Sequence, residues 1–175
     1  MSAVRITGGV ARGRVLREPV ASGVRPTAAR VREALFSMVG QDQHGRTILD
    51  AFGGAGLVGL EAWSRGARVT VFERDRRAWQ AIVRRGEQVG AEWIVRQGDV
   101  LAQAPRLTPF DGVFADPPYG TDPAAVIAAL APLAGEWLVL ETDTGVEVPA
   151  EAGALPLDRV RRYGRTQLVV YRRRG

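Results

Sequence analysis

The sequence predicts an α/β domain, doubly wound around a mostly parallel sheet, and three observations carry that expectation. Short apolar runs alternate with amphipathic stretches of helical length from residue 47 to residue 141. An acidic residue stands at or just beyond the end of each run, and a glycine cluster follows the first of them. Strands alternating with helices of about 10 to 15 residues need crossover connections, which makes them parallel in a sheet covered on both faces. At 175 residues with 46% hydrophobic side chains, the chain is long enough for one sizeable core. Residues 1–175 are therefore expected to form one domain, with residues 1–24 as a basic hairpin appendage.

The elements follow in order. Arg5 to Arg17 places short apolar pieces around glycines, the pattern of a hairpin or basic arm. After Pro26, Thr27 is placed to cap a helix whose apolar positions Val31, Leu35, Phe36 and Val39 keep helical spacing until Gly40. Strands are expected at 47–50, 69–73, 93–95, 112–116 and 137–141, and helices at 57–65, 75–89 and 123–133. Two arginine-bearing strands, near 155–162 and 167–171, close the pattern. Ligands of such sheets bind beyond the carboxyl ends of the strands. Asp50, Glu73, Asp99, Asp116 and Glu141 stand there, an acidic crevice in a chain of net charge +5.

All 24 basic residues are arginine, and their placement is uneven. Residues 1–33 carry seven against Glu18 and Glu33, and residues 158–175 carry seven against Asp158, while 34–157 hold ten against sixteen acids. Positive charge concentrated at the two ends of the sequence is the footprint of a nucleic-acid partner. Arg12, Arg14, Arg17, Arg30 and Arg32 are the candidate RNA phosphate contacts, although Arg30 and Arg32 equally suit an exposed helix face. With no cysteine and His44 as the only histidine, neither a disulfide framework nor a structural zinc site is expected. The N-terminus lacks an apolar stretch of signal-peptide length, and the longest Ala/Val/Leu run, 124–133, is too short to span a bilayer. The expected setting is cytoplasmic, without membrane or metal.

Gly54-Ala-Gly-Leu-Val-Gly59 spells G-x-G-x-x-G between a strand and a helix, with Glu73 nineteen residues after Gly54. Such glycines let the backbone approach a ligand, and the acid ending the next strand can accept hydrogen bonds from ribose hydroxyls. A dinucleotide and S-adenosylmethionine share those parts. Asp50 separates them: a carboxylate at the mouth of the loop repels a pyrophosphate and attracts ammonium and sulfonium charges. Phe52, Gly54, Gly56 and Arg74 belong to the same candidate site. Asp99 is placed to bind an adenine amino group with Val100 supporting the ring edge, and it also has the position of a helix N-cap.

Asp116-Pro117-Pro118-Tyr119 ends an apolar strand and is the candidate catalytic motif. An exocyclic base amine is a poor nucleophile because its lone pair is delocalised into the ring. The Asp116 carboxylate and the Pro117 carbonyl, both aimed at its hydrogens, would draw the nitrogen toward tetrahedral geometry. Pro117 and Pro118 stiffen the backbone, and Tyr119 offers a face on which a base can stack, worth about 1–3 kcal/mol.

Together, the segments 25–36, 49–67 and 116–119 resemble the bacterial RsmD family, which methylates N2 of a guanine in 16S ribosomal RNA. The resemblance runs from Arg5 onward, with Gly53 in place of the usual Ala and Ala55 in place of the usual Ser. It implies a seven-stranded, Rossmann-like methyltransferase fold that uses S-adenosyl-L-methionine. It also implies Asp50 and the glycines on the methionine side, Glu73 on ribose, Asp99 on adenine and Asp116 to Tyr119 at the target base. The implied partner is 16S ribosomal RNA in an assembled or partly assembled small subunit. From the motif alone, adenine-N6 and cytosine-N4 methylation remain open, as do a nicotinamide-dependent oxidoreductase resting on the glycine loop and a non-catalytic RNA-binding protein. A monomer is the expected state.

Overall fold

A computed structural model describes residues 4–16 and 26–173 of the chain. Two short strands, β1 (Val4–Arg5) and β2 (Val15–Leu16), pair antiparallel. The hairpin lies against the body, because Ile6, Ala11 and Leu16 bury themselves beside Leu57, Leu60 and Val89.

The remaining elements are α1 (Ala29–Val39), β3 (Thr47–Asp50), α2 (Leu57–Ser64), β4 (Arg68–Glu73), α3 (Arg76–Val89), β5 (Ile94–Gln97), α4 (Val100–Gln103), β6 (Phe110–Ala115), α5 (Pro123–Leu130), β7 (Ala134–Asp143), β8 (Glu151–Ala152), β9 (Leu155–Tyr163) and β10 (Thr166–Arg172). Most fall within a residue or two of the expected ranges. The 123–133 helix divides into α5 and a 3-10 turn at Ala131–Leu133, where Pro132 removes a backbone donor. Thr27 is not the cap of α1. Ala28 occupies that position without a side-chain bond, and the Thr27 carbonyl instead accepts from the Arg32 guanidinium.

The sheet runs β5-β4-β3-β6-β7-β10-β9-β8. Its first five strands are parallel and the last three antiparallel. Eight strands rather than seven are paired, because β8 adds two residues beside Leu155 and Pro156. Side chains alternate across the sheet with period two. Leu49, Val113, Leu138 and Val169 face α4 and α5, while Ile48, Phe114, Val139 and Val170 face α1 and α2. Among the described residues no helix is long and apolar enough to cross a membrane.

One buried charge cluster ties the hairpin and α1 to α2. Glu61 Oε1 accepts from Thr7 N at 2.8 Å and Arg32 Nε at 3.1 Å, while Oε2 accepts from Thr7 Oγ1 at 3.0 Å and lies 3.6 Å from Arg65 Nη2. Arg32, Glu61 and Arg65 are all at most 4% exposed. Buried charge survives only when paired, and removing one partner strands the others. Glu61→Gln keeps an acceptor but loses the charge. Its expected cost is about 2–3 kcal/mol of stability, typical of hydrogen bonds to charged groups. Thermal unfolding followed by circular dichroism should show Tm lowered by roughly 5–10 °C; an unchanged Tm would mean that the cluster contributes nothing net.

Candidate active site

Strand order reverses at β3. β4 and β5 lie on one side of it, and β6 and β7 on the other. Beyond the carboxyl ends of adjacent parallel strands at such a point, the two chains leave in opposite directions and a crevice opens. Asp50 lies opposite Phe114 in the β3–β6 register, so Asp116 follows just past the same edge. A cavity of about 720 Å³ occupies that place, and Asp50, Glu73, Asp99, Asp116 and Glu141 all line it. The five strand-end acids therefore meet in one site.

The glycine loop is held from several directions. Gly53 N donates to Phe72 O at 2.6 Å, Gly54 N to Glu73 Oε2 at 2.7 Å, and the buried Arg85 donates to Ala55 O at 2.8 Å. Gly56 adopts φ 73°, a left-handed conformation that glycine takes without strain, and begins α2. It shapes the loop and does not line the cavity, whereas Phe52 and Gly54 do. A Cβ on Gly53 would stand 2.7 Å from Val71 Cγ1 and 2.8 Å from Ile82 Cδ1, so glycine at this position suits the packing of this chain.

Asp50 is 1% exposed. Its Oδ2 accepts from Gly59 N at 3.0 Å, while Oδ1 is buried with no hydrogen-bond partner among the described residues. Burial pushes its carboxyl well above the usual carboxylate range; the Gly59 N–H opposes this, and Asp116, Glu73 and Glu141 reinforce it. A positive charge beside Oδ1 would favour the ionised form of such a group. Glu73 is partly occupied, since Oε1 also accepts from Asp75 N at 2.8 Å, yet each carboxylate oxygen retains a further lone pair for a hydroxyl donor. Asp99 is indeed an N-cap, accepting from Leu101 N at 2.9 Å, and it lines the cavity together with Val100 and Arg74.

The Asp116-Pro117-Pro118-Tyr119 segment forms the opposite wall. Thr121 donates to Pro118 O through N at 3.1 Å and Oγ1 at 2.6 Å, closing a turn with Gly120 at φ 79°. Tyr119 is thereby presented at the rim, 86% exposed. An aromatic face so exposed on a tight turn is open to stacking with a planar group.

The arginines divide. Arg30 is exposed and lines the cavity, and Arg12 is exposed beside a neighbouring groove that Arg30 also borders. Arg14 is exposed, but its guanidinium donates to Val89 O and Gln88 O at the end of α3. Arg32 is corrected: it is 3% exposed and committed to Glu61, Thr27 and Arg5, so it cannot reach a phosphate. Arg17 lies outside the described residues.

Sequence reasoning missed two supports. Arg85 sits at helical spacing from Ala78 and Ile82 on the buried face of α3, and a charge on an apolar stripe was its signal. Thr142, Asp143, Tyr163 and Thr166 complete the wall from β7, β9 and β10, brought there by antiparallel pairing that no local pattern records.

The model of the family described as conserved hypothetical protein 95 matches residues 4–172. The chain belongs to that family. YlbH of Bacillus subtilis (strain 168), whose name contains the words rRNA methyltransferase, is 33% identical over 98% of this chain and 100% of its own length. Ribosomal RNA small subunit methyltransferase D of Escherichia coli (strain K12) is 39% identical over 66% of this chain and 60% of its own length. The solved yhhF structure from Escherichia coli superposes with TM-score 0.84 at 31% identity, covering 98% of each chain. The Thermus thermophilus 16S rRNA methyltransferase RsmC, solved with AdoMet and guanosine, shares the fold at TM-score 0.75 and 19% identity, over 99% of this chain and half of its own. This member of the family is thus an RsmD-like methyltransferase with the Rossmann-like fold of S-adenosylmethionine-dependent enzymes. The residues of the site suit a cationic cofactor, with a buried carboxylate oxygen that has no partner among the described residues and a glycine loop whose backbone a ligand can approach.

Proposed function

We propose that the protein transfers the methyl group of S-adenosylmethionine to the exocyclic N2 amine of a guanine in 16S ribosomal RNA. The supporting observation is the pairing of Asp50 on β3 with Asp116 to Tyr119 after β6 across one cavity, which sets a cation site against a base site. When bound, the cofactor supplies an electrophilic methyl group on a sulfonium centre. Asp50 faces its positive end, Phe52, Gly54 and Gly56 shape the loop around it, and Glu73 and Arg74 flank the ribose. Asp99 and Val100 take the adenine. On the other side of the site the Asp116 carboxylate and the Pro117 carbonyl would accept hydrogen bonds from the two amine hydrogens, the methylated nitrogen would give up one proton by way of Asp116, Pro118 stiffens the segment, and Tyr119 would stack on the extruded base. Orientation of this kind supplies effective molarities of roughly 10⁵ M or more.

The relatives named for small-subunit rRNA support the choice of substrate. The working unit is a cytoplasmic monomer, one domain over residues 1–175 with residues 1–24 as an appendage, of which 1–3 and 17–24 lie outside the described residues, acting on an assembled or partly assembled small subunit without metal. Arg12 and Arg30, exposed near the site, are the phosphate contacts retained from the sequence reading. Incubation with S-adenosylmethionine and small subunits from cells lacking the endogenous enzyme, followed by nucleoside mass spectrometry, should yield N2-methylguanosine. N6-methyladenosine or N4-methylcytidine would keep the site chemistry and overturn the base assignment, since an Asp and a backbone carbonyl serve any exocyclic amine.

A further inference from the structure

The acidic cavity has a basic neighbour on strands that the cofactor and base sites do not use. β10 pairs with β9 from Leu157 to Tyr163, but on the outer edge β8 pairs only with Leu155 and Pro156 and Ala150 O accepts from Leu157 N, so among the described residues the edge from Asp158 onward has no strand partner. Arg161 and Arg162 on β9 and Arg165 in the turn that follows are exposed, and none of the three side chains has a hydrogen bond or ion pair to another described residue. Arg159 differs, since its Nε donates to Asp158 at 2.8 Å.

Arg162 and Arg165 border the cavity along the chain, and Arg161 stands one residue further out. Tyr163 and Thr166 line it and face each other across a two-residue turn, so Arg162 and Arg165 are next to lining residues in the chain. Gly164 opens the turn at φ 63°, a conformation suited to a tight hairpin. Thr144, just after β7, grips the turn by donating to Arg165 O at 2.9 Å and Gly164 O at 3.1 Å. Arg30 of α1 reaches the same turn, its Nη2 3.5 Å from the place a Cβ on Gly164 would occupy. Arg161 lies opposite Leu168, which faces the α1 side of the sheet, whereas Arg162 lies opposite Gln167 and projects to the other side. Arg30, from the N-terminal basic segment, thus meets the C-terminal arginines at this turn.

We infer that the β9–β10 hairpin, through Arg161, Arg162 and Arg165 together with Arg30, clamps the RNA phosphates flanking the target nucleotide. This rests on the RNA methyltransferase reading above. Arginine suits phosphate because its planar fork donates two parallel hydrogen bonds. An acidic interior with a basic rim also separates the ligands by charge: the cationic cofactor is drawn inward and the polyanion is held at the mouth. Charged side chains on a free edge can instead serve only to block edge-to-edge pairing, and the test separates the two roles.

The triple variant R161E/R162E/R165E keeps the edge charged but reverses its sign, and a matching R161K/R162K/R165K keeps the sign. Methylation of small subunits is measured across a salt series, with cofactor affinity by calorimetry and dispersity by size-exclusion chromatography. The Glu variant should stay monodisperse and bind S-adenosylmethionine as the unaltered protein does. Its KM should rise at least about tenfold with kcat little changed, and the slope of log KM against log salt should fall by about 0.7 per lost contact. The Lys variant should keep most of the affinity. Equal KM and slope in the Glu variant would overturn the clamp and leave edge protection as the role of these arginines. Failure of the unaltered protein to methylate any RNA would overturn the functional reading itself, and the clamp with it.

Discussion

Asp116→Ala should lower kcat by about 10²–10³-fold while S-adenosylmethionine and RNA still bind within a few-fold of the unaltered protein. The magnitude is that of removing one preorganised polar group aimed at the reacting centre. The loss falls on kcat because the amine must lose conjugation only as the new bond forms, so the carboxylate stabilises that geometry more than the bound ground state. The rest of the site should survive. The loop is held by Phe72, Glu73 and Arg85, and the Pro118–Thr121 turn by its own hydrogen bonds, none of which involves Asp116. Single-turnover methylation gives the rate, and calorimetry gives the cofactor affinity. Full activity would remove Asp116 from catalysis, whereas binding of RNA and cofactor with no turnover would exclude a protein that only binds RNA.

Where local pattern and tertiary demand agree, the sequence could be read directly. The parallel strands each have apolar residues on both faces, and an acid stops or follows each of them, so Asp50, Glu73, Asp99, Asp116 and Glu141 were found before the fold and all line one cavity. Reading failed where a partner lies far along the chain. Arg32 shares the spacing of Val31, Leu35 and Phe36 and looks like a surface charge next to a stripe, but Glu61, 29 residues on, draws it into the core. The same pull displaces the expected Thr27 cap, because the Thr27 carbonyl serves Arg32. β8 is two residues long, too short for any periodicity to register. The rim formed by Tyr163 and Thr166 depends on β10 inserting antiparallel between β7 and β9, a pairing that alternation along one strand does not specify.

Asp50→Asn should remove most cofactor binding and, at neutral pH, make the ligand-free protein more stable. Both effects come from one cause. Desolvation holds the Asp50 carboxyl well above its usual range, so at neutral pH the fold carries a buried group whose ionisation it resists. A carboxyl raised in the folded state takes up a proton more readily there than in the unfolded chain. Stability is therefore greatest below the unfolded value and falls as pH rises from there to the raised value. Asparagine has no charge to desolvate, and its carbonyl can still accept from Gly59 N. The Tm of Asp50→Asn should thus exceed that of the unaltered protein at neutral pH, and the difference should shrink toward pH 4. Binding runs the opposite way. A cation reaching Oδ1 finds the carboxylate already stripped of water, and loss of that charge costs about 2–5 kcal/mol, or roughly 30- to several-thousand-fold in Kd. The affinity of the unaltered protein should fall as pH drops through the raised value, because a proton then competes with the cofactor for the same oxygen, while the residual affinity of Asp50→Asn should lack that dependence. Calorimetry across pH, paired with thermal unfolding, reads both. Unchanged affinity in the variant would show that Asp50 serves only to tie β3 to α2 through Gly59. Weakened binding without any gain in Tm would mean that ordered water or a neighbouring proton already offsets the buried charge.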